Sequence, residues 1–167
     1  PEQGLICVLT LMEHFVLSEK MPGFFIDRKR SEELTKERIA LYNIKGAPDS
    51  PIESLSGGNQ QRALLALLRD HLELILVEHP TRGLDYESTI YIWGKLKQRC
   101  ANGTAIIFIS SDLEEILTYS DRVLVFFAGK VTPPLCAEKL NVERLGRLIG
   151  GKDWENLEKE AVYAVFA

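Results

Sequence analysis

A carboxylate and an imidazole stand next to each other at the end of an aliphatic stretch. Five of the six residues in the stretch 72–77 (LELILV) are aliphatic, which is typical of a buried strand, and Glu78 and His79 follow it directly. A carboxylate can hold Mg²⁺, and an imidazole can accept a proton near neutral pH. The pair therefore indicates either a site for phosphate chemistry or, more simply, a solvent-facing histidine at a strand end.

A second stretch, 54–62 (SLSGGNQQR), has the composition of an anion site. Gly57 and Gly58 allow the backbone to approach a ligand closely, and a helix is predicted to begin near Asn59. Such a helix presents free N–H groups and the positive end of its dipole, and the hydroxyl of Ser56 adds a donor. For an isolated SGG, the alternative is an ordinary turn with a helix cap.

The order of these stretches resembles that of the ATP-binding cassette (ABC) ATPases. LSGGNQQ (55–61) is followed by a predicted helix, the aliphatic strand and PTRGLD (80–85). More narrowly, the chain is similar to the second cassette of the tandem-cassette ATPases that drive bacterial and archaeal uptake of sugars and nucleosides. The segments 1–17 and 109–131 are similar to stretches of the same group, so that the resemblance covers about residues 1–150.

The resemblance implies roles for several residues at the interface of a cassette dimer. One set would form the signature loop, which in this family reaches across the dimer to the ATP of the partner cassette: Leu55, Ser56, Gly57, Gly58, Asn59 and Gln60. Asp85 would close the D-loop at the same interface. The implied cofactors are ATP and Mg²⁺, bound in the full cassette dimer and not by this chain alone.

Three further positions correspond to residues that act on a cassette's own nucleotide. Glu78 stands in place of the Walker B aspartate, which holds Mg²⁺ through water, and its extra methylene crowds a cation that tolerates little distortion. His79 stands in place of the catalytic glutamate, and Ser111 stands at the position of the switch histidine. The resemblance thus implies a degenerate site, in which Glu78 keeps at most a weak hold on Mg²⁺. The chain by itself is expected to be inactive.

The sequence lacks the phosphate loop G-x-x-x-x-G-K-[ST]. The nearest match is 146–153 (GRLIGGKD), in which Asp153 replaces the hydroxyl residue and would repel a phosphate. In an ABC protein the phosphate loop precedes all the segments found here, and the chain starts at Pro1 without a methionine. We therefore expect it to be the C-terminal part of a cassette from a longer protein.

The elements that must position these residues form a predicted α/β pattern. Two helical segments come first, at 5–17 and 27–44. From Ser56 onward, helices alternate with strands; the helices are 59–70, 86–103 and 112–120, and the strands are 72–77, 104–110 and 122–131. Such an alternation predicts a parallel sheet.

Together with the resemblance, the pattern predicts a partial P-loop NTPase (ABC) fold without the Walker A strand. Residues 1–60 are expected to form the helical signature subdomain, residues 61–150 the C-terminal part of the ATPase core, and residues 151–167 a helical tail. The missing strand would leave the strand 104–110 uncovered. Either the segment 124–127 shifts to fill the gap, or a second chain covers the edge in a homodimer.

Composition and charge exclude several classes of partner. With a net charge of −4 over 167 residues, the chain has no electrostatic footprint for nucleic acid. No apolar run approaches a membrane span, and three widely spaced cysteines without a CxxC pair indicate a reducing compartment. We expect a cytoplasmic protein, peripheral on the inner face of the cell membrane. Its expected partners are the first cassette of the same protein and transmembrane permease subunits.

Two questions about function keep their alternatives at this point. The substrate is predicted to be a nucleoside rather than a sugar, because nucleoside-type members often lose the Walker B acids in the second cassette. The segment 89–96 (TIYIWGKL) also resembles the helix after their D-loop. The other class of protein that fits the sequence is a non-catalytic regulatory or interaction module that retains the ABC fold.

Overall fold

Thr10 decides where the first helix begins. In the computed structural model, which describes residues 4–19, 26–69, 71–155 and 157, helix α1 spans Leu11–Ser18. The hydroxyl of Thr10 accepts the backbone N–H of Glu13, and the Glu13 carboxylate accepts the backbone N–H of Thr10, a reciprocal capping box. The prediction of a helix over 5–17 was therefore wrong in its first turns, where the chain makes turns ahead of Thr10.

The chain divides into two compact units, Pro1–Phe108 and Ile109–Ala167. The first unit opens with three helices that pack together: α1, α2 and α3. Helix α2 spans Arg28–Leu41 and is capped by Asp27, whose side chain accepts the N–H groups of Lys29 and Arg30. A short 3₁₀ turn, Ile52–Ser54, leads into α3, which spans Gly57–Leu67.

Two arginines hold the carbonyl end of α3. Arg38, on α2, donates to the carbonyl oxygen of Ala66 at 3.0 Å and to the carboxylate of Glu19 at 2.8 Å. Arg99 donates to the carbonyl oxygens of Arg69 and Leu68 at 2.8 and 3.1 Å. Carbonyls at the end of a helix lack intrahelical partners, and these cations satisfy them.

The sheet of the first unit consists of β1 (Leu74–Glu78) and β2 (Ala105–Ile109), joined by helix α4 (Tyr86–Ala101). The strands are parallel, as predicted, and a strand–helix–strand crossover is the usual connection for such a pair. The N–H of Ala105 donates to the carbonyl oxygen of Glu73 at 2.8 Å, which sets the start of the pairing.

The two faces of this sheet differ in what covers them. On one face Ile75 is buried, and Trp93 of α4 packs edge-on against Phe108 with ring centroids 4.7 Å apart. On the other face Leu76 is 70% exposed and Ile107 is 56% exposed. Strand residues alternate between faces, so one side of the sheet is a core surface and the other is an open apolar surface.

The second unit contains the remaining elements, which are short: α5 (Leu113–Tyr119), β3 (Arg122–Val123), β4 (Phe126–Phe127), β5 (Lys130–Val131), β6 (Leu135–Cys136) and α6 (Val142–Ile149). Strand β3 pairs antiparallel with β6, and β4 pairs antiparallel with β5. The core of this unit is aliphatic, with Val123, Val125, Leu145, Leu148 and Leu157 at its centre.

The predicted strand over 122–131 is interrupted in the structure. Val125 is buried, and its N–H donates to the hydroxyl of Thr132 at 3.0 Å, so that the chain leaves the ladder between β3 and β4. The segment 124–127 does not move beside β2, because Phe126 pairs with Val131 and the neighbour of β2 is β1. The predicted shift into the gap was therefore wrong. The predicted tail helix at 151–167 lies largely outside the described residues.

Candidate functional site

The signature residues form the first turn of α3 and the loop that leads into it. Ser56 is extended (φ −62°, ψ 156°), and its hydroxyl accepts the side-chain N–H of Asn59 at 2.9 Å. The oxygen of the same amide accepts the backbone N–H of Lys45 at 2.7 Å. Asn59 thus ties the loop to the end of the helical region, and α3 begins at Gly57, two residues earlier than predicted.

The amino end of α3 is left open to a ligand. The side chain of Ser56 makes no capping bond to the helix, and N–H groups of a first turn have no intrahelical acceptor. A Cβ atom placed on Gly57 would meet nothing within 4 Å. Gln60 supports the loop from below, donating to the carbonyl oxygens of Leu55 at 3.0 Å and Ile52 at 3.2 Å. This geometry fits a phosphate.

Gly58 is needed for a close approach. A Cβ atom at Gly58 would lie 3.1 Å from the hydroxyl oxygen of Ser88, at the start of α4. Asp85 caps α4 by accepting the backbone N–H of Ser88 at 2.8 Å and its hydroxyl at 3.0 Å. These hydrogen bonds, the backbone one first, hold the pKa of Asp85 below its ordinary value. The structure therefore links the signature turn to Asp85 through Ser88.

A tight turn connects the end of β1 to Asp85. His79 has φ +47° and Gly83 has φ +73°, both in the left-handed region. The N–H of Arg82 donates to the carbonyl oxygen of His79 at 3.2 Å, and that of Leu84 to Thr81 at 3.1 Å. Gly83 suits its position, whereas His79 adopts a backbone conformation that costs a side-chain-bearing residue energy.

Glu78 and His79 lie at the carboxyl end of β1, as predicted; Glu78 is exposed, whereas the His79 side chain is 25% exposed. The Glu78 side chain is 70% exposed, and its carboxylate lies 4.0 Å from Nε2 of His79. Within the described ranges, no group of three or more His, Cys, Asp or Glu side chains is placed to hold a metal ion. Mg²⁺ usually keeps several waters and takes its other oxygens from one or two carboxylates and a bound phosphate, so Glu78 supplies at most one of those ligands.

Ser111 belongs to the second unit and is exposed at the start of α5. Its neighbours carry the local hydrogen bonds: the Ser110 hydroxyl donates to the buried Glu115 carboxylate, and Asp112 caps α5 by accepting the N–H groups of Glu114 and Glu115. Nothing in this arrangement assigns a chemical role to Ser111. In the same unit, the segment 146–153 is the carboxyl end of α6, where Asp153 is paired with Arg147 at 2.6 Å.

Two residues of the site were missed by the sequence reasoning. Ser88 fits under Gly58 and completes the cap of α4, and Gln61 donates from its buried side chain to the carbonyl oxygen of Pro80 at 2.8 Å. Gln61 lies three residues after Gly58, which places both on one face of α3. This spacing is the signal that could have pointed to Gln61.

Known relatives match most of the chain. A ribose import ATP-binding protein of Hahella chejuensis is 36% identical over 90% of this chain, and an arabinose import ATP-binding protein of Burkholderia pseudomallei is 35% identical over 85%. A Rhizobium etli protein named for ribose, galactose and methyl galactoside import is 38% identical over 89%. The chain spans 29–31% of the length of these relatives. No protein-family model matches it.

Solved structures give the same fold. A metal-chelate-type ABC transporter in an inward-facing conformation aligns with 86% of this chain and 59% of its own, with a TM-score of 0.70 and 14% identity. An ATP-binding cassette solved as a dimer with ADP and Pi aligns with 83% of this chain and 62% of its own, with a TM-score of 0.66 and 22% identity. By sequence and by fold, the chain belongs to the ABC ATPases.

Proposed function

We propose that this chain is part of an ABC import ATPase and supplies a signature loop to an ATP molecule held by a partner cassette. The observation that carries the proposal is the amino end of α3. Its loop is tied by the amides of Asn59 and Gln60, and its first turn is open, with free space beside Gly57. A fixed set of N–H donors suits a phosphate whose charge changes during hydrolysis.

We further propose that the chain's own nucleotide site is degenerate. His79 stands where a water-activating carboxylate is expected, its backbone is strained at φ +47°, and the Glu78 side chain is 70% exposed. ATP and Mg²⁺ would therefore be bound by the full cassette dimer rather than by this chain. When bound, ATP supplies the phosphate bond that water cleaves. The residues of this chain would only orient the ATP.

The proposed cargo is a sugar. The relatives are named for import of ribose, arabinose and galactose-type sugars, and none of those named above supports the nucleoside prediction. The proposed partners are a first cassette in the same longer protein and transmembrane permease subunits, with a location on the inner face of the cell membrane. Within the described part of the chain, no helix is long and apolar enough to span a bilayer.

The test compares two substitutions in the full-length protein that contains this chain, assembled with its permease. Ser56→Arg places a long side chain over the open first turn and should lower the kcat for transport-coupled ATP hydrolysis at least a hundredfold. His79→Ala should leave kcat within about twofold, because His79 replaces the catalytic carboxylate and is proposed to take no part in hydrolysis. Thermal unfolding of both variants controls for misfolding.

Two results would contradict the proposal. If the Ser56→Arg protein hydrolyses ATP like the unsubstituted protein, the loop does not serve a nucleotide, and the non-catalytic interaction module is the better account. If His79→Ala is as damaging as Ser56→Arg, His79 takes part in hydrolysis and the site is not degenerate.

A further inference from the structure

One face of α3 makes two contacts with the segment that follows β1, one with the 79–85 turn and one with the start of α4. The first point is Gly58, which lies against the hydroxyl of Ser88. The second is Gln61, whose side-chain amide donates to the carbonyl oxygen of Pro80 at 2.8 Å. Positions three apart on a helix lie on the same face, so these contacts are about one turn apart along α3.

The contact made by Gln61 is buried on both sides. Gln61 is 8% exposed, and Pro80 is among the fully buried side chains. A buried carbonyl that loses its donor bears the full cost of its lost hydration, so this hydrogen bond resists breaking. The bond also spans 19 residues of sequence, and it therefore fixes one segment of the chain relative to another rather than supporting a local turn.

The segment on the far side of the bond is the one least able to hold its own position. Pro80 follows His79, which has a positive φ, and the turn from His79 to Leu84 is closed by backbone hydrogen bonds of 3.1 and 3.2 Å. The turn leads directly to Asp85, which caps α4 by binding Ser88, and Ser88 forms the other contact with α3. Without the bond to Pro80, the link between this turn and the signature helix would depend on the neighbours of Gly58, which are Ser88 and Leu84.

We propose that Gln61 is a positioning residue that sets the place of the signature turn relative to the 79–85 turn. Its amide and the Gly58–Ser88 contact together define the orientation of α3 about its own axis, and hence the direction in which the first-turn N–H groups point. The proposal rests on the proposed function, because the orientation matters for catalysis only if the signature turn serves an ATP. The alternative is a buried glutamine that only stabilises the fold.

Gln60 shows the difference between positioning and local support. Its side chain donates to the carbonyl oxygens of Ile52 and Leu55, which belong to the segment just before α3. Gln61 reaches instead to a residue beyond β1. The two adjacent amides therefore differ in role: Gln60 stabilises the shape of the loop, and Gln61 fixes its position relative to the 79–85 turn.

The experiment uses Gln61→Met, which keeps the length of the side chain and removes the donor. In the full-length ATPase assembled with its permease, we expect kcat to fall at least tenfold while the KM for ATP stays within about twofold. In the same variant, hydrogen exchange at the N–H groups of Arg82 and Leu84 should accelerate at least tenfold. Thr35→Val removes another buried side-chain bond to a backbone carbonyl, in α2, and should change neither measurement.

A second variant keeps the test decisive if Gln61→Met does not fold. Ser88→Ala loosens the other contact of the same linkage, and it should also lower kcat more than it changes KM. Combined in one protein, the two substitutions should lower kcat by less than the product of their separate effects, because each disturbs the same alignment.

The outcomes separate this inference from the proposed function. If Ser56→Arg is silent, the proposed function fails. If Ser56→Arg inhibits while Gln61→Met and Ser88→Ala retain the kcat of the unsubstituted protein, the signature serves an ATP but Gln61 does not position it, and the inference is overturned. A uniform acceleration of exchange across α1, α2 and α3 in Gln61→Met would assign Gln61 to overall stability and overturn the inference as well.

Discussion

The polar side chains at the signature end of α3 are hydrogen-bonded, whereas the carboxylate at the carboxyl end of β1 is exposed. At the signature end, the amides of Asn59, Gln60 and Gln61 each have backbone or hydroxyl partners within 3.2 Å. At the end of β1, the Glu78 carboxylate extends into solvent and lies 4.0 Å from His79. Under the proposed function, the hydrogen-bonded end would serve a partner's nucleotide and the exposed end would belong to the chain's own site.

The same contrast extends to the apolar residues of β1. Ile75 is 4% exposed and lies on the face toward α4, whereas its neighbour Leu76 is 70% exposed on the open face. Of these two adjacent residues, Ile75 faces the protein interior and Leu76 faces water. The described residues leave one face of this sheet uncovered.

The largest change in the free energy of unfolding should come from a substitution on the buried face of the sheet. Ile75→Ala removes methyl groups from a packed core and should lower the free energy of unfolding by ~2–5 kcal/mol, whereas Leu76→Ala should change it by no more than ~0.5 kcal/mol. Urea denaturation of the two variants measures the difference. Equal losses would mean that both faces are covered in solution, and the comparison would break. Concentration-dependent light scattering would then test for the predicted homodimer.

A pH-dependent effect should come from Asp85, on the signature side. The pKa of Asp85 is lowered by the hydrogen bonds from Ser88, so its ionised form stabilises the fold. That contribution is complete above the unfolded value of ~3.9 and is lost as the pH falls through the lower folded pKa. Asp85→Asn should therefore be less stable than the unsubstituted protein at pH 7, and the difference should vanish below that window. A difference that stays constant from pH 7 to pH 2 would show that the charge plays no part.

The smallest effect should come from His79. Because its φ is +47°, His79→Gly exchanges a strained residue for one that accepts this conformation. Relief of strain and the entropy of glycine oppose each other, and the net gain in the free energy of unfolding should be at most ~1 kcal/mol. Chemical denaturation against His79→Ala, which keeps the strain, measures the gain. A loss of stability on glycine substitution would mean that the imidazole makes a contact worth more than the strain.

Sequence reasoning succeeded where local patterns carry the information. The order of LSGGNQQ, an aliphatic strand and PTRGLD predicted the family, and the alternation of helices with strands predicted the parallel pair. The start of α1 was missed although Thr10 and Glu13 have capping-box spacing, because the apolar run before them matched the helical period. That error came from weighing periodicity above a cap.

Other features had no local signal. The bond from Gln61 to Pro80 joins a side chain to a backbone oxygen 19 residues away, and any residue type offers such an oxygen. At the break between β3 and β4, the N–H of Val125 donates to the hydroxyl of Thr132. The uninterrupted apolar sequence of this segment does not predict that hydrogen bond. Long-range hydrogen bonds to the backbone are therefore what the sequence could not predict here.

The arginines at the carbonyl end of α3 make the helix a lever. Arg38 and Arg99 donate three hydrogen bonds to carbonyl oxygens at that end, and Arg38 also bonds the carboxylate of Glu19, so we expect this end to act as the pivot. The 11 residues of α3 place Gly57 ~16 Å from the pivot. A rotation of ~4° about the arginines therefore moves the signature turn by ~1 Å, which is the scale of misplacement that costs an enzyme its alignment. The signature turn lies at the end of α3 where such a rotation displaces atoms most.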